Sequence, residues 1–275
     1  MTDLGVHPQP LADNQAWAKV ALDGGVLWAH GEHTGFYAAS LIKVPVAIAV
    51  LREVDRGTHR IDSAIQIRPS RSPISGSEIS IDEDSRDPLL ATRAESELAL
   101  TCLVERSIVV SSNEASNLLL DLVGFDAVNA VLGDVGARGS SVNRHLFDAA
   151  PSAAIGRNVA TAYDYAQLFA ALIRGDLLTP SSTVLLRTLL LAQQDRVAIP
   201  AGTPGVGVSN GSSGSLVGNK TGSTSSVGHD VAFVEPADAP PYCLAVLTSG
   251  GPLEDPNVSL SIAAIAKHAY EHGNR

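Results

Sequence analysis

Ser40-Leu41-Ile42-Lys43-Val44-Pro45-Val46-Ala47-Ile48-Ala49-Val50-Leu51 is the stretch on which the fold turns. From Val44 to Leu51 it is apolar on every helical face, which predicts a helix buried in the middle of the protein. Pro45 is tolerated in a first turn, and Gly57 is placed to stop the helix. Ser40 and Lys43 stand three apart, so one helical turn brings the amine to the hydroxyl. A serine N-cap with a lysine one turn on is the ordinary reading. Against it, Lys43 heads a run so apolar that a charged, unpaired amine would be costly there. Beside another cation such a lysine loses its proton more readily, and a neutral amine is the base that a serine nucleophile needs.

Two later segments carry further polar residues of interest. Ser111-Ser112-Asn113-Glu114 matches the Ser-x-x-Glu capping box, with Ser111 as cap, and Ala115, Leu118, Leu119 and Leu122 then form an apolar helix face. Lys220-Thr221-Gly222 ends a predicted strand, where glycine alone means little.

Trp17–Leu22 and Gly25–His30 read as a hairpin turning at Asp23-Gly24. The middle of the chain is mostly helical, with helices expected over Leu98–Val110, Glu114–Val123, Phe125–Leu132, Ala162–Ile173 and Pro180–Gln193. Gly202–Gly218 is rich in glycine and serine and is expected to be flexible, with Gly205–Gly218 moving as a gate. His229–Val234 and Tyr242–Thr248 read as an antiparallel hairpin, and Val258–His272 as a closing helix. The expected fold is therefore α/β (α+β): an antiparallel sheet built from both chain ends and flanked by helices, plus an all-helical lobe. A single domain of residues 1–275 is expected, with an α/β lobe over 15–43 and 200–275, a helical lobe over 44–199, and a cleft between them.

The 275 residues are 45% hydrophobic and carry a net charge of -10. That composition supports a packed core and argues against a nucleic-acid or anionic-membrane partner. The apolar run Val44–Leu51 is too short for a membrane span, so none is expected. No apolar leader follows Met1-Thr2-Asp3, so a cytoplasmic location is expected, or a secreted one if a leader has been removed. Cys102 and Cys243 are expected to be free thiols in the core. His30 and His33 lie at a strand end without further ligands, so neither a metal nor another cofactor is expected.

The three motifs, in this order, resemble those of the class A β-lactamases and penicillin-recognising serine hydrolases, whose fold is of the β-lactamase/transpeptidase kind. Ser111 to Leu120 is similar to that family's second-motif helix, Asn117 included, and Ile199-Pro200-Ala201-Gly202 is similar to a stretch before its third motif. The resemblance covers the chain from about residue 16 onward. It implies that Ser40 attacks the substrate carbonyl and Lys43 helps remove its proton, while Ser111 relays a proton to the leaving atom. Asn113 would hold the substrate amide, and Lys220, Thr221 and Gly222 would face the substrate. Lys220 and Thr221 would bind a carboxylate, and the backbone N–H groups of Ser40 and Ser223 would form the oxyanion hole.

The chain departs from the family in three places: a short, proline-bearing N-terminus that leaves little room for the family's first helix, a mainly structural position at Ser112, and one that bears on chemistry. Ser112 stands where an aspartate is usual. In Val142-Asn143-Arg144-His145-Leu146-Phe147-Asp148, Arg144 matches the arginine that braces the family's catalytic loop, and Leu146 falls where the water-activating glutamate belongs. Leucine is no base, which leaves His145 and Asp148 as substitutes. The expected function is a serine hydrolase cleaving a β-lactam amide or an ester through acyl-Ser40, with slow deacylation. The expected partner is a small molecule: a β-lactam, peptide or ester bearing a carboxylate. A DD-peptidase or esterase, and a β-lactam sensor that acylates once, remain alternatives.

Overall fold

The computed structural model describes residues 14–73, 75–79, 87–91, 96–150, 156–206 and 214–272. In chain order come β1 (Gln15–Ala21), β2 (Val26–His30), β3 (Phe36–Tyr37), a 3-10 turn (Ala39–Ile42), α1 (Lys43–Asp55) and β4 (Ala64–Gln66). α2 (Pro88–Ala91), β5 (Glu97–Ala99), α3 (Leu100–Val109), α4 (Asn113–Asp134) and β6 (Val159–Ala160) follow. Then come α5 (Ala162–Arg174), α6 (Pro180–Leu191), α7 (Ile199–Gly202), β7 (Leu216–Thr224), β8 (Val227–Glu235), β9 (Tyr242–Thr248) and α8 (Pro256–His272).

β1 and β2 close at Gly24, whose φ of 91° is the left-handed conformation that the Asp-Gly turn requires. β1 then pairs along its whole length with β9, giving an antiparallel sheet in the order β2-β1-β9-β8-β7. Both chain ends thus build one sheet, as expected. Side-chain alternation divides its interior. Ala16, Ala18, Val20, Cys243, Ala245 and Leu247 join the core that contains α1 and α5. Trp17, Tyr242, Leu244 and Val246 join a second core under α8. With helices on both faces, β9 has no wet side, which is why it reads as a continuous apolar run.

α1 is the central helix. Every residue from Lys43 to Leu51 is buried, and the helix packs on α3, α4 and α6.

Several expectations are corrected. Ser40 lies in the 3-10 turn that leads into α1 rather than in the α-helix. The helix expected from Leu98 starts at Leu100, because Glu97–Ala99 pairs with β4 instead. The two helices expected over 114–132 are one element broken at Gly124, where φ is 77°. By length and hydropathy α4 would suffice to cross a membrane, but half of that window is buried in the protein and the break divides it, so it reads as a core helix. Cys102 and Cys243 are free, yet only Cys243 is fully buried. Of the expected gate, residues 207–213 lie outside the described residues. The glycines at 202 and 218 serve packing: a Cβ on Gly202 would lie 2.0 Å from the Ala263 carbonyl oxygen, and one on Gly218 would lie 2.2 Å from the Phe233 ring.

Ile48 is fully buried at the centre of α1. Ile48→Ala should therefore lower unfolding free energy by about 2–5 kcal/mol, read as a lower urea midpoint at unchanged slope.

Candidate active site

The 3-10 turn carrying Ser40 packs against β7. Gly222 makes that approach possible. A Cβ there would meet the Ala38 carbonyl oxygen at 3.2 Å, Leu41 Cγ at 3.3 Å and Ala39 Cβ at 3.4 Å. The turn itself is tight, with Ala39 at φ 45°, a conformation that L-residues adopt at a cost.

Ser111 is not the helix cap. That role falls to Ser112, whose Oγ accepts from the Ala115 N–H at 3.2 Å and donates to Glu114 Oε2 at 3.1 Å. Ser111 stands just outside the helix at φ 59°, and its hydroxyl is spared for other contacts. Its Oγ accepts from Lys43 Nζ at 3.0 Å and from Lys220 Nζ at 2.9 Å. Lys43 also donates to the Ser111 carbonyl and, at 2.8 Å, to Asn113 Oδ1. Lys220 also donates to the Thr221 carbonyl at 2.9 Å. Both lysines are fully buried. The three motifs read from the sequence are therefore one hydrogen-bonded cluster.

A cavity of about 270 Å³ opens beside it. Ser40, Ser111 and Asn113 line it, together with Thr221, Ser223 and Thr224 of β7. Tyr37, Ala39, Leu146 and Phe147 complete the wall.

Leu146 reaches the cavity because α4 holds its backbone. Asn117 Nδ2 donates to the Leu146 carbonyl at 3.0 Å, and Asn117 Oδ1 accepts from the Leu146 N–H at 2.9 Å. The flanking polar residues turn elsewhere. His145 Nε2 lies 2.8 Å from Asp121 Oδ1, and Asp148 Oδ2 accepts from Ser72 Oγ at 3.1 Å. Burial alone would raise the Asp121 carboxyl, but hydrogen bonds from His145 and Ser70 bring it below the usual carboxylate range. Arg144 donates to the Ala150 carbonyl, bracing the loop from within. Neither His145 nor Asp148 lines the cavity. Both expected substitutes for the missing glutamate are thus bonded to side chains outside the cavity lining.

Sequence reasoning missed the partners of β7. Thr221 Oγ1 donates to Asp195 Oδ2 at 3.2 Å, and Ser223 Oγ donates to Glu254 Oε2 at 2.8 Å. Asn219 Nδ2 bridges the Asp195 carbonyl and Asp230 Oδ1, each at 3.0 Å. Tyr37 and Phe147 were also missed. No local pattern marks any of these residues, because each acts through chain that is remote in sequence.

Family comparison agrees with the geometry. The model of the Beta-lactamase enzyme family matches residues 12–273. The chain belongs to the β-lactamase enzyme family. Membership makes it a hydrolase of the serine β-lactamase type. It is 28% identical to β-lactamase FAR-1 of Nocardia farcinica over 236 residues, 82% of this chain and 67% of that protein. A β-lactamase structure from Sphaerobacter thermophilus superposes with a TM-score of 0.77 at 30% identity, covering 94% of this chain and 91% of that one. A structure of PBP-A, at 24% identity and TM-score 0.78 over 96% of this chain and 90% of that one, shares the fold. A leucine-to-glutamate variant of PBP-A is known as an acyl-enzyme complex with penicillin G.

Beneath the β-lactamase cavity, β8 buries two titratable neighbours. His229 Nε2 donates to the Tyr37 carbonyl at 2.9 Å, while Nδ1 accepts from the Thr248 N–H at 3.1 Å. Burial pushes this imidazole down to about 4. Asp230 accepts from the Ile199 N–H at 2.9 Å, and burial pushes its carboxyl up to about 7. Unfolded, His229 takes up a proton near its ordinary 6.5. Its contribution of up to about 3 kcal/mol is therefore full above that pH and lost as pH falls toward 4. Asp230 opposes it: its contribution is full below the ordinary 3.8 and lost as pH rises through about 7. His229→Gln should then gain stability relative to wild type between pH 7 and pH 5, and Asp230→Asn should lose it, as read from urea midpoints at the two pH values.

Proposed function

We propose that the protein hydrolyses a β-lactam amide or an ester through an acyl-Ser40 intermediate. The observation that carries this reading is the meeting of Ser40, Ser111 and Asn113 at one cavity, with Lys43 and Lys220 both bonded to Ser111 Oγ behind it. Ser40 Oγ bonds to the substrate carbonyl carbon as the bond to the leaving nitrogen or oxygen breaks. The proton released by Ser40 passes to Lys43 Nζ, which is neutral at that moment, and a proton reaches the leaving atom through Ser111 Oγ. The bond between Lys43 Nζ and Ser111 Oγ supports that path. Negative charge on the carbonyl oxygen is met by the backbone N–H groups of Ser40 and Ser223. The position of Ser223 on β7, the edge strand facing the Ser40 turn, supports this pairing. Lys220 raises the positive potential at Ser111, and Asn113 holds the substrate amide.

Leu146 favours a specific form of this reading, in which acylation is fast and release is slow. It puts an apolar wall where water must be activated, while His145 and Asp148 are engaged away from the cavity. The PBP-A acyl-enzyme is consistent with a penicillin adduct on this fold. A protein of this kind would act as a DD-peptidase-like acyl acceptor or as a sensor that stays acylated.

Intact-protein mass spectrometry after mixing with a p-nitrophenyl ester or a penicillin should show a single adduct, mapped to Ser40 and absent in Ser40→Ala. Labelling at another serine would overturn the assignment. Leu146→Glu should shorten the lifetime of that adduct, by up to ~10²–10⁴-fold if the new carboxylate reaches the attacking water. Rapid wild-type turnover with no detectable adduct would show that slow release is wrong.

A further inference from the structure

Three histidines gather at the edge of the sheet farthest from β7. His30 on β2 stacks on Trp17 with ring centroids 4.5 Å apart, and Trp17 lies 5.0 Å from Trp28. Trp28 lies 4.9 Å from His268 on α8, and His272 stacks on His268 at 4.6 Å. Packing on Trp28 accounts for the place of His268 and leaves that of the exposed His272 unexplained.

The sequence at the end of α8 is His268-Ala269-Tyr270-Glu271-His272. Two histidines four apart share one helix face, and His-x-x-Glu-His is an order in which such a pair binds zinc. A tetrahedral zinc ~2.05 Å from each nitrogen holds the two nitrogens ~3.3 Å apart. The two imidazoles, 4.6 Å between centroids and 19° from parallel, reach that spacing by turning about χ2. His272, exposed at the helix end, can turn without leaving a core. Glu271, the residue that would act as base in a zinc enzyme, faces Lys267 instead, with 3.9 Å between Oε1 and Nζ. Among the described residues no third His, Cys, Asp or Glu joins the pair, so water completes the shell.

We infer that His268 and His272 form a binding site for a divalent transition metal, held by one nitrogen of each imidazole. Imidazole selects copper, nickel and zinc over magnesium and calcium, which prefer oxygen ligands. Copper binds such a pair most tightly. The sheet order β2-β1-β9-β8-β7 puts the site at the edge opposite the Ser40 turn, so the metal braces the end of α8 and takes no part in acylation.

Trp17 and Trp28 are the two tryptophans of the chain, so its fluorescence reports on this edge directly. Copper(II) chloride added to the full chain should quench that fluorescence saturably. Losing a ligand should cost at least the ~10–100-fold in affinity that losing an outer-shell partner costs, so His272→Ala and His268→Ala should each bind that much more weakly. His30→Ala should bind copper as wild type does. Nickel or zinc chloride should raise the urea midpoint of wild type but not of His272→Ala, because a metal that prefers the native pair stabilises it, and magnesium chloride should raise neither. His272→Ala carries the test if His268→Ala fails to fold, since His272 is exposed. No saturable quenching, equal copper affinity in wild type and His272→Ala, or loss of binding in His30→Ala would overturn the inference.

Discussion

Two buried lysines share one serine oxygen, and the rest of the site is arranged to make that possible. Lys43 comes from α1, Lys220 from β7, and Ser111 from the link between α3 and α4. A buried ammonium that loses its acceptors costs several kcal/mol, so these three segments are tied more tightly than apolar packing alone would tie them. The arrangement requires Ser111 to stand at positive φ, a conformation that costs ~1–3 kcal/mol. Moving the capping duty to Ser112 frees the Ser111 side chain, and the converging lysines hold the strained backbone in place. Gly222 eases the closure, because a Cβ there would crowd the Ser40 turn at 3.2–3.4 Å and require it to give slightly.

Much of this was legible in the sequence, and the reason is local. The apolar run after Lys43 reports burial on every face, the Asp-Gly turn reports a hairpin, and the spacing within each motif reports which side chains share a surface. Where the reading failed, the deciding partner was far along the chain. Ser111, with Glu114 three residues on, fits a capping box better than Ser112 does, until Lys43 and Lys220 claim its oxygen. Leu98 fits a helix until Ala64–Gln66 offers it a strand. The glycines at 202 and 218 look like flexibility until Ala263 and Phe233 are seen to need their space. Asp195 and Glu254 carry no signal at all, since an acidic residue in a polar loop is the commonest thing a surface contains.

The loop around Leu146 shows how one side chain can set chemistry by fixing register. Asn117 both donates to and accepts from the Leu146 backbone, so the position of the loop over the cavity is dictated by α4. Shifting the loop by one residue would break both bonds and drive Leu146, which is 4% exposed, out of its packing. His145 and Asp148 are bonded in turn to Asp121 and Ser72, so entering the cavity would cost them these partly buried hydrogen bonds. The absence of a carboxylate from this wall is thus a property of the packed loop, beyond the identity of residue 146.

β7 divides its side-chain contacts by the simplest property of a strand. Successive side chains point to opposite faces, so Lys220 and Gly222 share one side while Asn219, Thr221 and Ser223 share the other. The first pair meets Ser111 and the Ser40 turn. The second group bonds to Asp195, Asp230 and Glu254. Changing a carboxylate behind Thr221 or Ser223 leaves the acceptor of Lys220 and the contact of Gly222 where they are. The two sets of contacts on β7 are therefore made on opposite faces of one strand. The separation is one-sided: displacing Lys220 would pull on the Thr221 carbonyl to which it donates and so disturb both faces at once.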